Sequence, residues 1–258
     1  MNVLESIIAG VREDEARRRK SPQEIAEMIS RAPAVRDAIS SLRTNSFSII
    51  AEVKRSSPSK GAISAIQDPV ALARTYEAAG ARAISVLTEE RRFHGSLGDF
   101  QSVRTAINLP MLRKDFMVSE YLIRESRAYG ADIVLLIVAA LDDRELKDLS
   151  DCAQGLGMQT LVEVHDEEEV ERALKLDATM IGVNARNLKT LEVDLTAFDR
   201  LLPLIPDSVL KVAESGIATQ QDSRRARSAG ASAILVGEAL VRSESPANAI
   251  RELTEFAN

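Results

Sequence analysis

Short runs of consecutive apolar residues, rich in Val, Ile and Leu, recur along the chain and predict eight strands. They are Ser48–Val53, Ala83–Leu87, Pro110–Arg113, Ile133–Ile137, Gln159–Val164, Met180–Val183, Val209–Ala213 and Ala233–Val236. Near-continuous hydrophobicity marks strands covered on both faces, as in a parallel sheet, whereas a half-exposed antiparallel strand alternates. Between most of the runs lies an amphipathic segment of helical length. Three junctions, YEAAGARAISVL, SRAYGADIVLLIV and ARSAGASAILVG, share one form. In each, a helix closes at a glycine (Gly80, Gly130 or Gly230) and a strand follows within a few residues. Glycine suits that position because the residue just past a helix end adopts the left-handed conformation.

A strand–helix unit repeated eight times at roughly 20–35 residues per unit fits an α/β fold, the (β/α)8 TIM barrel. A doubly wound sheet normally has fewer strands. Its dinucleotide-binding version carries G-x-G-x-x-G after the first strand, and none occurs here. Residues 1–258 are expected to form a single barrel domain, with residues 1–45 as an extra N-terminal helical extension. There Val3, Leu4, Ile7, Ile8 and Val11 recur near helical spacing. Ser21-Pro22 with Glu24 reads as an N-cap followed by proline at the first helical position. Preceding the first strand, these helices either plug the bottom of the barrel or reach over its mouth.

Composition then narrows the function. The 33 Lys and Arg against 39 Asp and Glu give a net charge of −6, so no general basic field exists to hold nucleic acid. An anionic small molecule needs only a local pocket. The longest apolar run, Ile133 to Leu141, is far short of a membrane span. The first residues are too acidic and too briefly apolar for a signal peptide, so a cytoplasmic location is expected. Cys152 is the one cysteine and His94 and His165 the only histidines. That excludes an intramolecular disulfide, a cysteine-based zinc or iron–sulfur cluster and a three-histidine metal centre.

In barrels the reacting groups project from the C-terminal ends of the strands. This chain carries charge at those ends. Glu52 and Lys54 close the first strand on one face, Arg113-Lys114-Asp115 ends the third, and Glu163 lies within the fifth. The sixth strand runs into Asn184 and Arg186, the seventh into Glu214-Ser215-Gly216, and the eighth into Gly237-Glu238. Buried charge is costly unless paired, so such convergence is hard to explain as packing. A solvated rim is the competing explanation, weakest for Lys114 and Glu163, which stand beside apolar strand residues. Loops after strands seven and eight commonly bind phosphate in barrels, and Gly216 and Gly237 offer open backbone amides there. Ser57, with Ser59 and Lys60 after the first strand, adds hydroxyls and a cation. Cys152 falls in a helix and reads as an incidental thiol. His165 comes as the fifth strand is ending and is left outside the site.

The segments AEVKRSSPSKG, SVLTEERRFHGSL, LRKDF, LVEVH, GVNARNL, AESGI and LVGEAL, in that order, resemble the indole-3-glycerol-phosphate synthase family of tryptophan biosynthesis. The likeness runs over nearly the whole chain. It implies closure of an indole ring: 1-(2-carboxyphenylamino)-1-deoxyribulose 5-phosphate loses CO₂ and water to give indole-3-glycerol phosphate, with no cofactor. By the resemblance Lys114 is the general acid and Glu163 the general base. Glu52 assists catalysis, Lys54 holds the substrate carboxylate and Asn184 orients the substrate. Arg186, Glu214 and Glu238 belong to the site. Phosphate falls to Ser57, Gly216, Gly237 and nearby backbone with Ser215 beside the ligand, and Phe93 and Phe116 flank the anthranilate ring. The stretch TEERRFHGS departs from the family's usual acidic–lysine–aromatic–aromatic run, having an extra arginine and a single aromatic residue. A monofunctional monomer acting on a small phosphorylated substrate is expected, without nucleic acid, membrane or metal. The competing readings are phosphoribosylanthranilate isomerase, a Schiff-base enzyme using Lys114, and a barrel that only binds a phosphorylated ligand.

Overall fold

The computed structural model describes residues 2–44, 47–63 and 65–255. Eight parallel strands close into a barrel: β1 (Ser48–Val53), β2 (Ala83–Leu87), β3 (Met111–Lys114), β4 (Ile133–Ile137), β5 (Gln159–Val164), β6 (Met180–Asn184), β7 (Leu210–Glu214) and β8 (Ala233–Val236). Each pairs with the next, and β8 returns to β1 through Ser48↔Ala233 to Ala51↔Val236. Nearly every strand residue is buried, as continuous hydrophobicity requires of strands with side chains inside and helices outside. The TIM barrel read from the sequence is therefore the fold. Gly80, Gly130 and Gly230 take φ of 102°, 90° and 107°, the left-handed ends expected of the three junctions.

Three strand ends correct the sequence reading. β3, β6 and β7 each run one residue further than expected, taking in Lys114, Asn184 and Glu214. Lys114 stands level with Leu87 of β2, and Asn184 with Glu214 across the β6–β7 ladder. The polar side chains thus sit on rigid sheet rather than on loops.

The N-terminal helices do both things the sequence left open. Helix α1 (Val3–Arg18) starts with a capping box between Asn2 and Glu5 and lies across the C-terminal mouth. Its Val3, Leu4 and Ile7 face the cavity. Helix α2 (Pro22–Arg31) begins with the expected Ser21 cap and Pro22. Helix α3 (Ala38–Leu42) closes the opposite end: Ser41 Oγ donates to the Arg82 carbonyl (2.6 Å) and Arg43 Nη2 to the Ser208 carbonyl (2.6 Å), both just before strands begin. The extension boundary at residue 45 falls outside the described residues. Among the described residues, no helix is long and apolar enough to cross a membrane.

Candidate active site

A cavity of about 500 Å³ opens at the C-terminal end of the barrel, in the usual size range of small-molecule sites. Every residue that the family resemblance assigns to the site lines it: Glu52, Lys54, Ser57, Phe93, Lys114, Phe116, Glu163, Asn184, Arg186, Glu214, Ser215, Gly216, Gly237 and Glu238. Arg113 does not. Strand alternation turns it outward, away from Lys114, to Glu125 of the helix Glu120–Ala128.

Lys114 is the hub. Its Nζ lies 2.6 Å from Glu163 Oε2 and 3.0 Å from Glu214 Oε2. Asn184 Nδ2 donates to the other Glu163 oxygen at 3.0 Å and fixes that carboxylate from a second side. Burial alone would push the ammonium down, but Glu163, Glu214 and Glu52 together hold it well above the ordinary lysine range. Glu163 goes the other way: burial would raise it, yet Lys114 and His165 keep it below the usual carboxylate range. Glu214 is pushed up to about 7, because burial and the neighbouring Glu163 charge outweigh its share of Lys114. Two carboxylates with one ammonium between them thus differ in basicity, a pattern common where acid and base roles divide. Gly182 on β6 makes room for this arrangement, since a Cβ there would overlap the Glu214 carboxylate.

At the first strand, Lys54 Nζ stands 3.1 Å from Glu52 Oε1, and Ser85 Oγ donates to Glu52 Oε2 at 3.2 Å. A two-residue hairpin, Ser56–Ser57 against Gly61–Ala62, presents Ser57 to the cavity, with Pro58, Ser59 and Lys60 in its turn. Ser215 and Gly216 follow β7 with φ of 68° and 77°. Gly237 leads into a short helix, Glu238–Arg242, whose first amides have no carbonyl of their own helix to meet. Together these loops form a pocket suited to an anion. Phe93 and Phe116 meet with ring centroids 6.2 Å apart. Phe93 is held by Glu89, whose carboxylate accepts the backbone N–H groups of Arg91, Arg92 and Phe93 at 2.7–3.0 Å.

The family model described as indole-3-glycerol phosphate synthase matches residues 4–253. The chain belongs to the indole-3-glycerol phosphate synthase family. The synthase of Streptomyces griseus is 54% identical over 98% of this chain and 95% of its own length. The synthase of a Nocardioides species is also 54% identical, over 98% of both chains. Among solved structures, 3-hexulose-6-phosphate synthase from Salmonella typhimurium superposes with a TM-score of 0.65 at 14% identity, over 80% of this chain and 96% of that one. Thiamine phosphate pyrophosphorylase from Pyrococcus furiosus does so at 0.62 and 18%, over 82% and 95%. These two share the barrel.

Sequence reasoning missed several parts of this synthase-family site. The apolar Leu188, Leu191 and Val193 after β6 form one wall, and Val3, Leu4 and Ile7 form the cover. The helical stripe at the N-terminus signalled that cover without saying what it faced. Arg242 also lines the cavity. His165, set aside from the sequence, stands with its Nε2 3.4 Å from Glu163. Among the described residues, no group of three or more His, Cys, Asp or Glu is placed to hold a metal ion. Cys152 lies half-buried in helix α7 (Asp143–Gly155), away from the cavity, where burial pushes its thiol up.

Proposed function

We propose that this barrel closes the indole ring of 1-(2-carboxyphenylamino)-1-deoxyribulose 5-phosphate, releasing CO₂ and water and leaving indole-3-glycerol phosphate. The observation that carries the reading is the Lys114 ammonium set between Glu163 and Glu214 in a cavity that also holds Lys54 and the Ser57–Gly216–Gly237 loops. The loops grip the phosphate and Lys54 grips the carboxylate. Holding both ends folds the flexible chain so that the ring carbon meets the ketone.

Lys114 then protonates the ketone oxygen as the carbon–carbon bond forms. Substrate binding draws Lys114 off its carboxylates, which makes the ammonium a better acid. The attacked ring carbon bears the carboxylate, so loss of CO₂ returns the bonding pair to the ring and restores aromaticity. In the last step an acid protonates the departing hydroxyl while Glu163 takes a proton from the ring-nitrogen side. Asn184 keeps Glu163 aimed, Glu52 assists, and Arg186, Glu214 and Glu238 balance charge around the ligand. Phe93 and Phe116 flank the anthranilate ring. Every step moves protons or expels CO₂ and water, so the reaction calls for no cofactor. All the groups come from one chain, which suits a monomer.

The test is single-turnover kinetics following CO₂ release and indole fluorescence together. Lys114→Ala should lose about 10²–10⁴-fold in turnover and be impaired already in CO₂ release. Glu163→Gln should release CO₂ and accumulate an undehydrated intermediate. Near-normal kcat in Lys114→Ala would end its role as acid, and equal loss of CO₂ release in both variants would undo the division of labour. Trapping of substrate on Lys114 by borohydride would favour a Schiff base instead.

A further inference from the structure

His165 is the first residue beyond β5 and stands two residues after Glu163, so both side chains leave the sheet on one face. Its backbone N–H and its Nδ1 both reach Glu169 Oε2, at 2.8 and 2.9 Å. Glu169 lies in the first turn of helix α8 (Glu167–Leu174), where a carboxylate is favoured by the helix dipole. A carboxylate can only accept, so Nδ1 carries the hydrogen in that contact. The other nitrogen, Nε2, is buried, has no hydrogen-bond partner, and lies 3.4 Å from Glu163 Oε1. A neutral ring would aim its Nε2 lone pair at a carboxylate oxygen. A protonated ring aims an N–H at it.

We propose that His165, anchored by Glu169, is a positioning residue for Glu163, keeping a positive charge beside that carboxylate when Lys114 turns to the substrate. The inference rests on Glu163 acting as the base. Glu163 has the Lys114 ammonium at 2.6 Å. Once Lys114 gives its proton to the ketone it becomes neutral, and Glu163 would remain ionised in a buried site with only Asn184 as donor. A carboxylate so placed captures a proton too early and is lost as a base. The imidazolium prevents this without quenching the base, because its contact is longer than that of lysine. The charged groups facing the ring are Glu163 from β5 and Glu169 from α8. Burial opposes protonation of the ring, but the nearby carboxylates of Glu163 and Glu169 raise it to about 10, so it stays charged through the neutral range.

The experiment is the pH dependence of kcat and of KM for the wild type, His165→Gln and Glu169→Gln, with thermal melts of each. Removing the imidazolium should move the acid limb of the kcat profile upward by about one pH unit, roughly a tenfold loss on that limb, while KM changes less than about twofold. Glu169→Gln keeps the ring but removes one of its carboxylates, so an alkaline limb should move down towards neutrality. It leaves the imidazole in place and provides an independent test should His165→Gln fold poorly. A kcat profile unmoved in either folded variant, or lowered equally at every pH, overturns the proposal. Glu163→Gln separates the two levels. Full turnover there removes Glu163 as base and this proposal with it, whereas an inactive Glu163→Gln beside an unmoved His165→Gln profile removes this proposal alone.

Discussion

Asp14 of α1 and Arg91 in the loop after β2 form a two-pronged ion pair, Nε to Oδ2 at 2.8 Å and Nη2 to Oδ1 at 2.7 Å. The third guanidinium nitrogen reaches Glu13 at 2.8 Å. The pair joins the cover of the cavity to the loop that Glu89 folds and that carries Phe93.

Arg91→Ala should therefore loosen the cover more than the barrel. We expect KM to rise at least about threefold, with kcat changed less, since the pair touches no reacting group. Arg91 is partly exposed, so raising the salt concentration should weaken the wild type towards the variant. Steady-state kinetics at low and high ionic strength check this, and an unchanged KM would show that the pair does not govern the cover.

Gly237 and Ser57 separate phosphate binding from the acid–base cluster. A Cβ at Gly237 would come 2.5 Å from Glu52 Oε1 and 3.2 Å from Glu52 Cβ, so Gly237→Ala must displace Glu52. Both kcat and KM should suffer in that variant. Ser57→Ala removes one hydroxyl without crowding, and should raise KM about tenfold with little change in kcat if the contact is equal in ground and transition states. Kinetics on both variants decide it, and a Ser57→Ala enzyme with normal KM would take the phosphate away from this hairpin.

Glu214 makes stability and activity pull apart. Its folded value, about 7, lies above the ordinary carboxylate value of 4.5, so between those values the folded chain binds more protons than the unfolded one. By that sign, this group's contribution to stability falls as pH rises from about 4.5 to about 7. Glu163, held low by Lys114 and His165 against its burial, contributes in the opposite sense, and its stabilisation is lost as pH falls below 4.5. Glu214→Gln should flatten the decline of Tm between pH 5 and 7 (about the window set by those two values) while reducing turnover. Melting curves across that window, subtracted from the wild type, isolate the effect. An unaltered slope would mean that Glu214 is ionised throughout.

Arg113 holds a different set of charges. Fully buried, it meets Asp115 at 3.1 Å and Glu125 at 3.0 Å, and Arg18 of α1 reaches the same Glu125 at 3.1 Å. Asp115 also accepts from Thr88 and from the Phe116 backbone. Removing Arg113 takes the guanidinium from two buried carboxylates, leaving Asp115 with Thr88 and the Phe116 amide and Glu125 with Arg18, so Arg113→Ala should cost about 3–5 kcal/mol in stability. Denaturant unfolding measures it. A cost under about 1 kcal/mol would mean that water or rearrangement satisfies both.

The strands were readable because burial on both faces leaves an unbroken apolar run, as in Ile133–Ile137. Their ends were not. Lys114, Asn184 and Glu214 read as stops because a lone charge or amide is costly inside a sheet, yet each is paired. Lys114 finds its partners 49 and 100 residues away, beyond any local pattern. His165 was passed over for the same reason. A strand that is ending gives no hint that Glu169, in the next helix, will turn the imidazole back towards Glu163. The polar set at the mouth was legible because eight strands running one way bring all their last residues to one rim. Which helix covered that rim depended on Arg91 and Glu125, whose partners on α1 carry no sequence mark.

The single stretch before β1 seals both openings of the barrel, and that has a consequence for how the molecule is made. The helices before β1 have their partners scattered over the later chain: Arg43 waits for Ser208, 165 residues later, and Arg18 for Glu125. Such distant closures come late, since loop entropy must be overcome before the contacts repay it. A nascent chain therefore carries α1 undocked until Glu125 has been synthesised, and the end of α3 without its partner until Ser208 has. The cover of the pocket thus waits for the first half of the ring, and the seal at the opposite end for nearly all of it.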